Sequence, residues 1–221
     1  MQLSDAIKGR RSIRKFKPIE VPVDVISGIL EEARWAPSGG NMQTWEFYVL
    51  TGGPLEEFKK ANLQKTLDKE APSPDVPMSP VLPDGLKRRY MEFAESMFSS
   101  ISVKREDKEA RGRLYQSMAT LFDAPCFVVG CIPKSLPADY AMFDLGLITQ
   151  TICLLAHDKG LGTLIMYAAI MYPAILRKLT AIPEDRRIIV GIALGYPNLE
   201  SPLNHFERKR ADLSEFVTWV G

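Results

Sequence analysis

The segment from Tyr140 to Ala156 constrains the fold more than any other part of the sequence, because it has almost no polar side. Its strongly polar residues are Asp144, Thr149, Gln150 and Thr151. Asp139 is placed to cap a helix here, and Gly160 to stop it near Lys159. A helix of this composition has to be buried. At about 17 apolar residues with an internal aspartate it is a poor membrane span, so burial inside protein, as at a subunit interface, is the better account.

Short apolar segments before and after this helix have the composition of β-strands. They are rich in β-branched and aromatic residues and are bounded by turn-forming residues. Further helices are predicted between them, one of which begins at Tyr172 and Pro173. Strands and helices therefore alternate, which favours an α/β or α+β sandwich over an all-helical protein. The predicted strands are residues 45–52, 126–132, 163–168 and 187–196.

The first half of the chain is predicted to add helices and a polar insertion. A short N-terminal helix gives way near Gly9, and a second helix begins at Pro22 and ends before Pro37. Residues 71–85 carry five prolines, which forbid a regular helix and predict an irregular surface loop. The region 60–120 is too polar to bury a core of its own, so we expect it to be an insertion that lies on the domain.

The size and charge of the chain limit its organisation and its partners. With 221 residues it is long enough for one domain with an insertion and too short for two, so residues 1–221 are predicted to form a single domain. A net charge of +1 argues against a general nucleic-acid or membrane-surface binder. The N-terminus lacks the apolar run of a signal peptide, and we expect a cytoplasmic protein.

Motifs typical of nucleotide-binding proteins, hydrolases and metalloenzymes are absent from the sequence. There is no GxGxxG after a strand, no GxxxxGK, no HExxH and no GxSxG. His157 and His205 have no partner at metal or triad spacing. The three cysteines, at positions 126, 131 and 153, lie in apolar segments without a CxxC pair. We therefore predict reduced core thiols and no metal site, and the missing motifs argue against a hydrolase or a kinase.

Two basic segments near opposite ends of the chain are candidates for binding an oxyanion. The first contains Arg10, Arg11, Ser12 and Arg14. Guanidinium groups and a hydroxyl within five residues are suited to hold a phosphate through charge-assisted hydrogen bonds. In the second segment Arg208 and Arg210 are one residue apart, so both side chains point the same way if the chain is extended. A solvated basic turn and a loose charged tail are the alternatives.

A glycine-bearing loop follows the second predicted helix and is a candidate for contact with a planar ligand. It runs from Pro37 to Asn41, with Gln43 just beyond. The loop offers small polar donors and acceptors, and its glycines let the backbone approach a ligand closely. A bare turn would have the same composition. The closeness of this loop to the arginine run in the sequence is the reason to consider one joint site.

Five segments taken together resemble the FMN-dependent nitroreductase superfamily, and in particular its nitrobenzoate-reductase-like branch. The segments are RRSIR, APSGGNMQTWEF, DLGLITQTICLLAHDKGLGT, IALGYP and FERKRADLSEF. Each is weak alone, but five in this order and at these distances form a specific pattern. The resemblance covers about residues 1–58 and 120–218. The region 60–120 stays outside it and is expected to shape the acceptor pocket, with Phe93, Met97, Phe98 and Tyr115 as candidates.

This resemblance implies an α+β three-layer sandwich, in which helices flank a central, mostly antiparallel sheet, and an intertwined homodimer with FMN at the subunit interface. It implies that NADH or NADPH reduces the flavin in a ping-pong cycle, in which hydride passes to flavin N5 and on to a small planar acceptor such as a nitroaromatic or a quinone. The flavin carries the chemistry, and the protein supplies binding, orientation and electrostatics.

The resemblance also assigns residues to the cofactor. Asn41 or Gln43 would reach the ring from the partner chain, and main-chain amides of residues 166–168 would meet it near N5. Relatives often have a hydrogen-bonding side chain where this chain has Met166 or Ala168, so any polar tuning has to come from the backbone. The residues expected to bind FMN are Arg10, Arg11, Ser12, Arg14, Pro37, Ser38, Gly39, Asn41, Gln43, Met166, Tyr167, Ala168, Arg208 and Arg210.

Three alternatives remain open at this level. The first is other flavin chemistry of the same superfamily, such as dehalogenation or enone reduction. The second is a flavin- or phosphate-binding protein without turnover, a role compatible with the apolar residues at positions 166 and 168. The third is a nucleic-acid binder that uses the basic clusters, which predicts steeply salt-dependent retention of DNA. The sequence does not distinguish NADH from NADPH as the reductant.

Overall fold

The strands form one antiparallel sheet in the computed structural model of the protein, which describes residues 1–77, 81–104 and 106–221. The strand order is β1-β2-β4-β3, so β2 and β4 lie at the centre. All four predicted strands are present within two residues of their expected bounds. They are β1 (Glu46–Thr51), β2 (Cys126–Pro133), β3 (Gly162–Met166) and β4 (Arg186–Gly195).

Helices cover both faces of this sheet, because successive side chains of a strand point to opposite sides. In β2, Phe127 and Val129 pack on one side with residues of α3, α5 and α7. Cys126 and Val128 pack on the other side with residues of α2 and α6. The result is the predicted three-layer sandwich. The helices are α1 (Leu3–Gly9), α2 (Val23–Ala33), α3 (Gly52–Leu67), α4 (Asp84–Ser100), α5 (Lys108–Ala119), α6 (Ala138–Asp158) and α7 (Pro173–Thr180).

Helix α6 is the apolar helix that the sequence predicts, and it packs against α2, β2 and β3. Pro137, and not Asp139, occupies its N-cap position, so Asp139 lies in the first turn. Tyr140 and Phe143 are 79% and 68% exposed, and part of the apolar surface therefore stays uncovered in one chain. By length and composition α6 is the one helix among the described residues that could cross a membrane, a criterion that core helices of soluble proteins also meet.

The region 60–120 contains the end of α3 and two further helices. Helix α5 buries Ala110, Leu114 and Ala119 in the core, whereas α4 has no buried residue. The proline-rich segment is irregular from residue 71 to residue 77, and α4 begins at its end. Residues 78–80 of the predicted loop lie outside the described residues.

Candidate anion-binding site

The two basic segments predicted from the sequence lie on opposite sides of one cavity of about 430 Å³. The Arg208 guanidinium reaches across to the N-terminal segment, where it donates to the carbonyl oxygens of Lys8, at 2.6 Å, and of Arg10. Helix α4 forms the third side. The cavity is lined by Arg10, Arg11, Ser12, Arg14, Arg88, Arg89, Glu92, Phe93, Ser96, Phe206, Glu207, Arg208, Lys209, Arg210, Ala211 and Glu215.

Strand β3 fixes the position of the N-terminal basic segment. Ser12 forms a parallel β-bridge with Thr163, and the amide of Ile13 donates to the Thr163 carbonyl at 3.0 Å. Ile13 is buried against Gly162, where a Cβ atom would come within 2.5 Å of the isoleucine side chain. The glycine therefore permits the close approach that brings the arginines to the edge of the sheet.

Asn204 joins the two ends of the chain beside the cavity. It is 1% exposed, and its side-chain oxygen accepts from the amide of Arg14 at 2.6 Å. Its side-chain nitrogen donates to the carbonyls of Lys15 and Asn198, both at 2.8 Å. These bonds hold the backbone of Arg14 in place without using its guanidinium group, which is left to face the cavity.

The Arg14 guanidinium packs against two aromatic rings. Its central carbon is 5.1 Å from the ring centroid of Phe93 and 5.3 Å from that of Phe206. Burial, and then the nearby positive charge of Arg11, lower the pKa of Arg14 to about 10. An anion in the cavity would offset both effects, because it would supply the opposite charge that this guanidinium lacks.

The pKa values of two neighbouring arginines, Arg11 and Arg208, are lowered for the same reasons. Burial and the charge of Arg208 lower the pKa of Arg11, while burial and the charges of Arg210 and Arg10 lower that of Arg208. Like charges this close together destabilise one another unless an anion lies between them. Arg11 donates to the carbonyl of Phe206 through one nitrogen, and its buried Nε has no hydrogen-bond partner among the described residues. The cavity is therefore a candidate site for an oxyanion.

The loop from Pro37 to Gln43 lies at a second, open cavity and does not line the arginine cavity of the same chain. Asp144 of α6 holds this loop, since its carboxylate accepts from the Gly39 amide at 3.1 Å. Within the loop, the Gln43 amide donates to the Ser38 hydroxyl at 2.9 Å. Asn41 and Gln43 have φ angles of 55° and 49°, so the loop is sharply turned and presents backbone to solvent.

Pro37, Ser38 and Gly39 line the second cavity, together with exposed aromatic residues of α6. Its volume is about 770 Å³, and the face that the aromatics form is open to solvent in one chain. The other residues that line it are Asp139, Tyr140, Phe143, Asp144 and Leu147. The arginines and the start of the loop therefore line separate cavities within a single chain, and Asn41 and Gln43 line neither of the two.

Residues 166–168 line neither of these two cavities. Met166 ends β3 with its side chain buried in the core, and Ala168 is exposed. The Tyr167 hydroxyl donates to the carbonyl of Val76 in the proline-rich segment. The side chain of Met166 is thus unable to contact a ligand, and any contact at this position has to come from the backbone.

Several residues of the site escape prediction from the sequence. Asn204 and Phe206 lie in a polar stretch near the C-terminus, where nothing in the residue pattern separates them from an ordinary turn. Arg88 and Arg89 sit on a helix of mixed charge, for which a solvated face is the usual explanation. Phe93, in contrast, is among the predicted pocket residues, and it does line the arginine cavity.

The cysteines take no part in the site. All three are free and buried, as predicted, and burial raises the pKa of Cys126 to about 12. A buried thiol with a raised pKa is unreactive because the thiolate is the nucleophile. Among residues 1–77, 81–104 and 106–221, no group of three or more acidic, histidine or cysteine residues could hold a metal ion.

Taken together, the fold and this cavity define an α+β protein with an arginine-lined cavity shared by both ends of the chain. A model of the nitroreductase family matches residues 7–196. The chain belongs to the nitroreductase family, which confirms the resemblance drawn from the sequence. The match ends before Arg208 and Arg210, so the placement of these two arginines rests on the structure alone.

Similar proteins cover nearly the full length of the chain. A nitrobenzene nitroreductase of Ectopseudomonas oleovorans is 29% identical, over 99% of this chain and 96% of that protein. A 4-nitrobenzoate reductase of Pseudomonas putida is 28% identical, over 97% of this chain and 94% of that protein. The crystal structure of the FMN and NADPH-dependent nitroreductase NfnB from Sphigopyxis sp. strain HMH has a TM-score of 0.96 at 27% identity and covers 100% of both chains. The predicted nitroreductase-like fold is thus confirmed.

Proposed function

We propose that this protein is an FMN-dependent oxidoreductase that takes hydride from NADH or NADPH and delivers it to nitroaromatic, quinone or similar planar acceptors. The observation that carries this proposal is the cavity that arginines from both ends of the chain line together. Relatives named nitrobenzene nitroreductase and 4-nitrobenzoate reductase support it. So does a structural neighbour described as FMN- and NADPH-dependent.

The residues of the arginine cavity fit the phosphate of FMN. A phosphate monoester carries about two negative charges and three acceptor oxygens, which match several guanidinium groups. Arg10, Arg14 and Arg208 would hold it, with the Ser12 hydroxyl as a further donor. Arg11 also lines the cavity and would add a further positive charge.

Bound FMN supplies the redox chemistry of the reaction, since it accepts hydride from the nicotinamide and passes it to the acceptor. The protein holds and orients it. The backbone of residues 166–168 lies at the end of β3 and would meet the flavin ring. Met166 is buried and Ala168 has no polar group, so these positions supply no side-chain acid, and electrostatic tuning falls to main-chain amides.

Two chains are required to complete the site in this proposal. The loop Pro37 to Gln43 and the arginines occupy separate cavities in one chain, so they would meet at one flavin only across a homodimer interface. Tyr140 and Phe143 supply an exposed apolar face beside that loop. A second copy of α6 would cover this face and account for the apolar composition of the helix.

The remaining parts of the proposal concern the acceptor, the domain organisation and the location of the protein in the cell. Helix α4 covers the arginine cavity with Phe93 and would shape the entrance for a small planar aromatic acceptor. We treat residues 1–221 as a single domain with a variable insertion at about 60–120. We also propose that the protein is cytoplasmic. We assign it neither a nucleic-acid nor a membrane partner, because the clustered basic residues line the cavity.

Absorbance spectroscopy and a turnover assay test this function. Purified protein reconstituted with FMN should retain an oxidised-flavin spectrum after gel filtration. With NADPH or NADH it should then reduce nitrobenzene or 4-nitrobenzoate. Retention of FMN without oxidation of either nicotinamide would instead support the flavin-binding alternative without turnover. Failure to retain FMN at all would remove both.

A further inference from the structure

The arginine cavity contains more positive charge than one phosphate can neutralise. Of the residues that line it, eight are arginine or lysine and three are glutamate. A phosphate monoester brings about two negative charges. With the flavin phosphate in place, several cationic groups would still face one another, a destabilising arrangement. The surplus indicates that the cavity receives a second anion, and this inference rests on the proposed function.

Part of the surplus charge lies on helix α4, in Arg88 and Arg89. Arg89 precedes Phe93 by four residues, so both lie on the same face of the helix about one turn, roughly 5 Å, apart. The Phe93 ring packs against Arg14 and is tilted against the ring of Phe206, 5.8 Å away. Arg89 therefore lies one turn of α4 before the ring that packs against Arg14.

The ion pairs of the two α4 arginines are weak and open to exchange. Arg89 binds Glu215 at 2.8 Å, with both side chains more than 40% exposed. Arg88 lies 4.0 Å from Glu92, at the limit of an ion pair, and its side chain is 68% exposed. Solvent-exposed pairs of this kind contribute little stability. An incoming oxyanion can therefore displace the carboxylates without a large loss.

We propose that Arg88 and Arg89 form a second oxyanion subsite that recognises an anionic group carried by a substrate, distinct from the phosphate of the flavin. Two substrates of the proposed reaction can carry such a group. NADPH has a 2′-phosphate that NADH lacks, and arginine is the residue that accommodates this group in other proteins. An aromatic acceptor such as 4-nitrobenzoate has a carboxylate that nitrobenzene lacks. Guanidinium groups bind phosphate and carboxylate with the same bidentate geometry.

The test compares each anionic substrate with its uncharged counterpart in the FMN-loaded enzyme. The variant carries both Arg88→Ala and Arg89→Ala. Its kcat/KM is measured for NADPH and NADH, and in a second comparison for 4-nitrobenzoate and nitrobenzene. We expect a selective loss of about tenfold or more for the anionic member of one pair, the effect of one lost charge-assisted contact. The pair that responds identifies the source of the anion.

Two matched variants separate this role from a structural one. Lys87→Ala removes an exposed charge of α4 that does not line the cavity, and it should leave both ratios unchanged. Glu215→Gln breaks the ion pair between Arg89 and Glu215 but keeps the arginine. The preference for the anionic substrate should therefore be kept or increased. The FMN content of every variant is measured, which shows that the flavin site remains intact.

Two results would overturn the subsite. One is an equal change, or none, for all four substrates in the double variant. The other is the same loss of selectivity in Glu215→Gln, which would assign the effect to the anchoring of the C-terminal tail. Either result leaves the proposed function standing if the wild-type enzyme still reduces nitroaromatics. Loss of the proposed function would show as absence of turnover in the wild type itself.

Discussion

Arg177 and Asp75 form an ion pair through two hydrogen bonds of 3.2 and 2.8 Å, and both side chains are about nine-tenths buried. The same carboxylate accepts from the amide of Ile188 at 2.7 Å. Asp75 thus fastens the proline-rich segment to α7 through Arg177 and to the start of β4 through Ile188. One residue further on, the carbonyl of Val76 accepts from the Tyr167 hydroxyl, beside the backbone proposed to meet the flavin.

Replacing Asp75 by Asn should destabilise the fold strongly. The substitution leaves the Arg177 charge almost buried without its main partner, a situation that typically costs about 3 to 5 kcal/mol. Urea unfolding at a fixed protein concentration measures the free energy of unfolding. Glu109→Gln is the matched control, because its pair with Arg113 is exposed and should contribute less than about 0.5 kcal/mol. A loss for Asp75→Asn no larger than for the control would contradict this account.

Arg14→Ala should weaken FMN binding by about tenfold or more, the effect of losing a charge-assisted hydrogen bond. Isothermal titration of flavin-free protein with FMN gives the Kd. Lys17→Ala is the control, since this exposed lysine lies outside the cavity. An unchanged Kd for Arg14→Ala would remove this arginine from the phosphate site.

FMN affinity should also depend on pH in the alkaline range. The pKa of Arg14 is lowered to about 10, first by burial and then by Arg11. The phosphate binds the protonated guanidinium, so affinity is retained below this pH and falls as the pH rises through it. Fluorescence titrations with FMN across this range should show the decrease in the wild type and a much smaller one in Arg14→Ala. Parallel curves for both proteins would refute the assignment.

Asn204→Ala should lower both stability and FMN affinity. It leaves the amide of Arg14 without its partner, at about 1 to 3 kcal/mol for a buried group left unsatisfied. The carbonyls of Lys15 and Asn198 each lose one of two hydrogen bonds and still accept from the amides of Asn198 and Ser201. Urea unfolding and FMN titration measure the two effects. Asn198→Ala serves as a comparison, because its backbone carbonyl remains. A variant of Asn204 that unfolds like the wild type would show that the two chain ends are held by other contacts.

Phe143→Asp should separate the proposed dimer and release FMN. The ring is 68% exposed in one chain and lies beside the loop that holds Ser38 and Gly39. A charge buried at an interface without a partner is strongly unfavourable. Sedimentation velocity should show half the mass of the wild type, whereas Phe143→Tyr should keep the wild-type mass. A monomeric wild type that retains FMN would contradict the two-chain site.

The sequence is sufficient for the architecture because burial imposes a repeating pattern. The four strands and α6 are apolar over their length, and the contrast with neighbouring turns marks where they lie. The ends of helices and strands depend on local backbone geometry that several residue types can adopt. Asp139 is a good capping residue, yet α6 begins before it, at Ala138, with Pro137 at the N-cap and no side-chain capping bond.

The site can be predicted only in part from the sequence, because it depends on contacts between residues almost 200 positions apart. The composition of the two arginine segments indicates anion binding, and it leads to the cavity that both segments line. Nothing local marks Asn204 as the residue that joins them, because a lone asparagine in a turn has many possible partners. The role of Tyr140 and Phe143 depends on a second chain, which no pattern within one chain describes.

Anaerobic mixing of the FMN-loaded protein with NADPH or NADH tests the central claim most directly. We predict loss of the oxidised-flavin absorbance, with one equivalent of nicotinamide consumed per flavin, and its return on addition of a nitroaromatic acceptor. An oxidised-flavin spectrum that persists with both nicotinamides would contradict the account.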